Sequence, residues 1–227
     1  MRTAIFLDAG HGGLDNKGRY TTAPGKMFRH PGQKMTIRDW FYEGVKNRIY
    51  VEHTIQKLSA QLAEARLPCE LIRTYHPIRD TPRRERIQLI NRLAQQYDKC
   101  LVVSEHSNAT KYHTARGFQV WTSRGQTESD IYAQSLIDYY KLCFGEWIDL
   151  SLGDIDTLED YSDGDGDYEA DFDLVKLTRP PAILIENLFF DQLQDASLLV
   201  NPTYIEQYTE LLAHWLFTQV KDWYVNG

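Results

Sequence analysis

Two histidines and a glutamate stand in like positions along this chain, each at the end of a short apolar run. Ala4-Ile5-Phe6-Leu7 leads through Asp8-Ala9-Gly10 to His11, with Gly12-Gly13 behind it. Leu101-Val102-Val103 leads to Ser104-Glu105-His106, and Ala182-Ile183-Leu184-Ile185 leads to Glu186-Asn187. Runs of this length bounded by breaks read as buried strands. Open α/β sheets place their chemistry beyond the carboxyl ends of such strands. Glycine on both sides of His11 lets the backbone turn sharply and leaves the imidazole open to a ligand. Catalytic zinc takes three protein ligands from His, Glu, Asp or Cys and keeps one position open. His11 and His106 offer two, and a carboxylate is the natural third. A separate carboxylate would carry the proton from water to a leaving amine. Glu186 fits that role, because partial desolvation at the end of its apolar run raises its pKa. The chemistry expected is metal-assisted hydrolysis. Taken singly, each histidine also reads as a satisfied core residue and Glu186 as a surface charge, so everything rests on their convergence.

The elements that must bring them together alternate strand and helix. After the first strand a long polar connection runs from about residue 12 to 42, with Pro24, Gly25, Pro31 and Gly32 in it. Loops of that length are usually functional or mobile. His30 reads as a solvated residue of this loop. A helix is expected from Glu43, with Val45, Ile49, Ile55, Leu58 and Leu62 at helical spacing and Pro68 as its stop. Cys69 to Thr74 reads as the second strand. Thr81 and Pro82 read as N-cap and first position of the next helix, buried through Ile87, Ile90, Leu93 and Ala94. The period-two segment Phe118 to Ser123 reads as a half-buried strand. A helix over about 128–144 is expected to pack through Ile131, Ala133, Leu136, Ile137, Tyr140 and Phe144. Residues 149–173 break the rhythm as an acidic insertion containing Asp163-Gly164-Asp165-Gly166-Asp167. An EF-hand loop counted from Asp163 needs glycine sixth and glutamate twelfth, where Tyr168 and Leu174 stand, so that match fails. A solvated loop is expected there, with cation binding as the alternative. Asn201-Pro202 caps a final helix.

At 227 residues with a formal charge of −7, the chain is expected to form one α/β domain over 1–227. The implied core is a twisted, mostly parallel sheet of about five to six strands with helices on both faces. No clustered Lys and Arg argue for a nucleic-acid partner, and no run is long enough to span a membrane. Met1-Arg2-Thr3 enters the first strand directly, which leaves no room for a signal peptide. The chain is therefore expected to be made in the cytoplasm. Cys69, Cys100 and Cys143 form no CxxC pair and read as small buried core residues.

Five ordered motifs resemble the zinc-dependent N-acetylmuramoyl-L-alanine amidases of amidase family 3, which include cell-separation amidases and phage lysins. The opening signature is Asp8-Ala9-Gly10-His11-Gly12-Gly13. Glu43 followed by Asn47 matches the second motif, and Arg73, Asp80, Arg86 and Ile90-Asn91 follow the third loosely. Ser104-Glu105-His106-Ser107-Asn108-Ala109 is the fourth, and Pro181-Ala182-Ile183-Leu184-Ile185-Glu186-Asn187-Leu188-Phe189 the fifth. The resemblance implies that His11, Glu43 and His106 hold one zinc ion and that Glu186 is the catalytic carboxylate. Glu52, two helical turns beyond Glu43, is the alternative ligand. Arg86 and Asn108, within these motifs, are the expected substrate contacts. The implied substrate is peptidoglycan, cleaved at the amide between N-acetylmuramic acid and L-alanine of the stem peptide. A compact phage endolysin without a wall-binding domain, acting on the wall after release, is the expected setting. A zinc peptidase or deacetylase of the same layout, or a non-catalytic wall-binding module, is the alternative. Glu105 replaces the family's apolar residue and must point to the face opposite His106, where it needs a partner. His76 and His113 read as surface residues.

Overall fold

The computed structural model describes residues 1–146 and 155–226; residues 149–154 of the acidic insertion lie outside the described residues. Six strands form one sheet: β1 (Thr3–Ala9), β4 (Glu70–Arg73), β5 (Lys99–Asn108), β6 (Gln119–Thr122), β7 (Tyr168–Glu169) and β8 (Ala182–Phe189). Their order is β4-β1-β5-β8-β6-β7, with β4, β1, β5 and β8 mutually parallel and the β6–β7 pair running against them. The expected mostly parallel α/β sheet is present. No described helix is long and apolar enough to cross a membrane.

Side-chain alternation along the strands divides the core into two layers. Ile5, Leu7, Leu101, Val103, Ile183 and Ile185 face the larger layer, packed under α1 (Glu43–Ala65), α3 (Glu128–Glu146) and α6 (Pro202–Asn226). Ala4, Phe6, Val102, Ala182 and Leu184 face the other, under α2 (Arg83–Ala94) and α4 (Asp173–Leu177). Continuing the second set toward the strand ends gives Asp8, Ser104, His106 and Glu186. The pleat alone therefore points these four side chains to one face at one rim of the sheet.

Several local expectations change. The connection 12–42 contains a short hairpin, β2 (Met27–Arg29) and β3 (Trp40–Tyr42), preceded by a 3-10 turn at Pro24–Lys26. His30 is not solvated: it is 5% exposed, and its Nε2 lies 2.8 Å from the Phe190 carbonyl, which ties the hairpin to the end of β8. α1 ends before Pro68, through Arg66 in the left-handed region at φ 55°. Thr81 does not cap α2. Its hydroxyl instead accepts from the His76 N–H, and Pro82 occupies the cap position. Ile131 is 70% exposed, because at 100° per residue it falls opposite Ala133, Leu136, Ile137 and Tyr140. The acidic insertion carries β7 and leads into α4, and α5 (Leu193–Val200) fills the expected loop after β8. Asn201 does cap α6, its Oδ1 accepting from the Thr203 N–H at 2.8 Å. The cysteines are free and only partly buried.

Glu105 finds its partners in the larger layer. Its carboxyl accepts from the Tyr208 hydroxyl at 2.9 Å and the Asn187 amide at 3.1 Å, and Asn187 in turn accepts from Tyr204 at 2.6 Å. Burial, opposed by those two bonds, pushes the Glu105 pKa up to about 8. A folded acid with a raised pKa keeps a proton that the unfolded chain releases. Its burden on stability is therefore absent below the ordinary glutamate pKa, grows as pH rises from about 4.5 to about 8, and levels off above. At pH 7 this amounts to roughly 3 kcal/mol. Glu105→Gln is expected to be the more stable protein at pH 7 and to lose most of that slope. Urea unfolding of both proteins at pH 5 and pH 8 measures it; equal slopes would contradict the account.

Candidate active site

His11 sits where β1 gives way to the long connection, with φ 63°, a left-handed conformation that a non-glycine residue adopts only under constraint. Two arginines supply the constraint. Arg48 donates to the His11 carbonyl at 2.8 Å and to the Gly44, His76 and Pro77 carbonyls. Arg86 donates to the same His11 carbonyl at 3.3 Å, to the Ala9 carbonyl at 2.9 Å and to both oxygens of Asp8 at 3.0 Å. Asp8 also accepts from Thr74 at 2.5 Å and Ser104 at 2.8 Å. Burial acts to raise the Asp8 pKa, but Arg86 and these hydroxyls outweigh it and hold the carboxyl below its ordinary value.

Glycine is required at two close approaches. A Cβ on Gly10 would overlap the His106 imidazole, and one on Gly44 would overlap the Gly12 carbonyl. These contacts press the ends of β1 and β5 and the start of α1 together. Glu43, the first residue of α1 and fully buried, is thereby brought between the two histidines. Its Oε1 lies 3.2 Å from His11 Nε2 and 3.2 Å from His106 Nδ1. The two imidazoles stand nearly perpendicular, at 87°, with centroids 4.9 Å apart. One ligand atom from each of the three residues lies within 4.8 Å of the others.

The donor set suits a divalent metal. Buried His11 Nε2 and Glu43 Oε2 have no hydrogen-bond partner, an expensive arrangement unless something else binds them. Burial, offset in part by Glu43, lowers the His11 pKa and so favours the neutral ring that ligates metals. Burial pushes Glu43 upward, but His11, His106 and Lys26 outweigh it and hold it ionised, well below the ordinary range. Two imidazoles and a carboxylate make a donor set of the His2Glu kind used by catalytic zinc.

Glu186 lies beside these three without joining the ligand cluster. It is register-paired with His106 across β5 and β8, half-buried, and its Oε2 has no partner. Burial and the nearby Glu43 charge raise its pKa well above the ordinary value. A cleft of about 620 Å³ opens over this arrangement, lined by His11, His106, Glu186, Lys26, Arg83 and Phe172 among others.

The remaining expectations fare differently. Glu52 is engaged elsewhere, with Arg73 at 2.6 Å and Tyr75 at 2.5 Å, and is not an alternative ligand. Arg86 borders the cleft but is 4% exposed, and its guanidinium is taken up by Asp8, Asp80 and three backbone carbonyls. It is a buried clamp on the β1 end and leaves no free donor for substrate. Asn108 donates one amide N–H to Gln119 at 2.7 Å and accepts from the Ala109 N–H at 2.8 Å. His76 stays a turn residue, accepting from the Ile78 and Arg79 N–H groups, and His113 pairs with Asp191 at 2.7 Å. Two residues of the site had no signal in the sequence. Arg48 is one of several charged residues on a long helix, and Lys26, whose Nζ lies 3.6 Å from Glu43 Oε2, belongs to the irregular connection.

The chain matches the family profile described as N-acetylmuramoyl-L-alanine amidase over residues 5–216. An N-acetylmuramoyl-L-alanine amidase from Clostridium difficile 630 shares the fold with a TM-score of 0.69 at 21% identity, covering 100% of this chain and 99% of that one. The catalytic domain of CwlV, an amidase from Bacillus (Paenibacillus) polymyxa var. colistinus, gives 0.65 at 17% identity over 96% and 98%. The catalytic domain of the CD27L endolysin, which targets Clostridia difficile, gives 0.58 at 17% over 96% and 98%. Comparison with curated proteins finds no match.

Proposed function

This chain belongs to the N-acetylmuramoyl-L-alanine amidase family, and from that premise we propose that it is a zinc-dependent peptidoglycan amidase. The bond cleaved joins the lactyl carbonyl of N-acetylmuramic acid to the amine of L-alanine in the stem peptide. The observation that carries the zinc dependence is the meeting of His11, Glu43 and His106 with unpartnered buried ligand atoms. A zinc ion bound there supplies Lewis acidity, polarising a carbonyl and acidifying a water molecule.

Each residue then has a task. His11, Glu43 and His106 hold the ion, and Asp8, Arg48 and Arg86 fix the backbone that carries His11. Glu186, outside the ligand set, takes the proton from the attacking water and delivers it to the departing alanine nitrogen. Its raised pKa comes partly from Glu43, and that is the charge a bound dication offsets, so Glu186 can ionise and still remain a good proton donor.

Digestion of purified muropeptides tests the bond specificity. Mass spectrometry is expected to find free glycan ending in intact lactyl groups and stem peptides with a new alanine amine. Products cut within the peptide, or sugars that have lost only acetate, would instead identify a peptidase or a deacetylase. The narrower role of an endolysin draws support from the shared fold with the CD27L catalytic domain. It predicts lysis of cells whose membranes have been permeabilised, and fails if such cells stay intact while their purified murein is cleaved.

A further inference from the structure

Beside Glu186 stands a group of aromatic rings to which the hydrolysis itself gives no task. Trp121 on β6 is register-paired with Leu184 on β8, two residues before Glu186, and with Tyr168 on β7. Residues paired across strands share a face, as do residues two apart along one strand, so Trp121 stands on the face that carries Glu186. The Trp121 and Tyr168 ring centroids lie 4.8 Å apart. After β7 the chain folds back over them. The Ala170 N–H donates to the Thr122 carbonyl at 3.1 Å, the Phe172 N–H to the Ala170 carbonyl at 2.8 Å, and the Lys176 N–H to the Phe172 carbonyl at 2.9 Å. These bonds fix Phe172 at the start of α4, with its ring centroid 5.4 Å from that of Trp121.

Phe172 is nevertheless 39% exposed, and it lines the same cleft as His11, His106 and Glu186. Its neighbour Asp173 meets Arg83 of α2 at 3.4 Å, and both of these also line the cleft. A single exposed phenyl ring on an open surface is ordinary. One that is backed by two more rings, held by backbone bonds and set in a catalytic cleft beside polar groups has the make-up of a preformed ligand site.

Resting on the amidase reading above, we propose that Phe172, supported by Trp121 and Tyr168, is a subsite for a pyranose ring of the glycan strand. The amide to be cut joins two unlike halves. The alanine side offers a methyl group, whereas a sugar offers a flat face of C–H groups rimmed by hydroxyls. Slightly positive C–H groups suit the negative face of an aromatic ring. Arg83 and Asp173 together carry no net charge and supply both donors and acceptors, which matches hydroxyls. The histidines stand at the ends of β1 and β5, so the glycan lies on the β6–β7 side of the metal cluster.

NMR titration of the zinc-loaded full chain with glycan strands stripped of their peptides tests this without turnover. Saturation of the protein's aromatic protons is expected to pass to the C–H groups of the sugar ring. Phe172→Ala should raise Kd for the glycan about tenfold, the loss expected when one apolar ring face returns to water. Phe172→Leu keeps apolar packing on Trp121, and so guards against a folding failure, but has no flat face and should bind as weakly. Phe172→Trp should restore binding. On muropeptides Phe172→Ala should raise KM by a similar factor with kcat little changed. A parent that does not bind the glycan, equal glycan affinity in parent and Phe172→Ala, or a loss confined to free stem peptide would overturn the subsite. Cleavage at a bond other than the lactyl–alanine amide would instead overturn the amidase reading, so the two failures are told apart.

Discussion

Glu186→Gln is expected to lower kcat on muropeptides by roughly 10³-fold, within the span usual for a lost general acid–base, with KM little changed. The substitution keeps the size and hydrogen-bonding shape of the side chain and removes only its capacity to exchange a proton. Because Glu186 stands outside the cluster His11, Glu43 and His106, the variant should retain its metal and its stability. Release of stem peptide from murein, followed over a pH series for parent and variant, gives the comparison. Activity within tenfold of the parent would mean that another group moves the proton, and loss of metal together with activity would make Glu186 a ligand.

A different failure is expected of Arg86→Leu. Arg86 and Asp8 are 4% and 1% exposed, so the substitution strands a carboxylate in the core with only hydroxyl donors. Breaking a buried pair by removing one partner typically costs about 3–5 kcal/mol. For a chain of this size that corresponds to a fall of roughly 10 °C in Tm. Asp8→Asn in the same background should recover part of the loss, since the stranded charge is then gone. The measurement decides between two roles for Arg86. A destabilised protein with its metal site loosened fits the clamp seen here, whereas a stable protein with a raised KM would return Arg86 to the substrate contacts its motif led us to expect.

How much of this was legible depended on how long each signal was. The strands β1, β5 and β8 are continuous apolar runs, and period two then carries Asp8, Ser104, His106 and Glu186 to one face without further information. Glu105 was legible in the same way, as a misplaced carboxylate on the opposite face that had to find partners. Glu43 was not legible from spacing alone. Its place between the histidines depends on Gly10 and Gly44 admitting close approach, a tertiary fact, and only the likeness to a family singled it out. Elements of two or three residues, such as β2, β3 and β7, are too short to show a period. α5 follows β8 so closely that its leucines read as part of a loop. Arg86 misled for another reason: residues required by a site need not touch the substrate, and a motif does not distinguish a clamp from a contact. His30 shows the converse, a polar residue in a polar loop whose burial is set by Phe190, far along the chain.

The central claim is that three side chains from β1, α1 and β5 share one divalent ion. Zinc titration of the metal-free chain against a chromophoric chelator tests it most directly. The account predicts one zinc per chain for the parent and for Glu186→Gln, with affinity falling by more than about 10²-fold in His11→Ala and in His106→Ala. Undiminished zinc affinity in either histidine variant would contradict it.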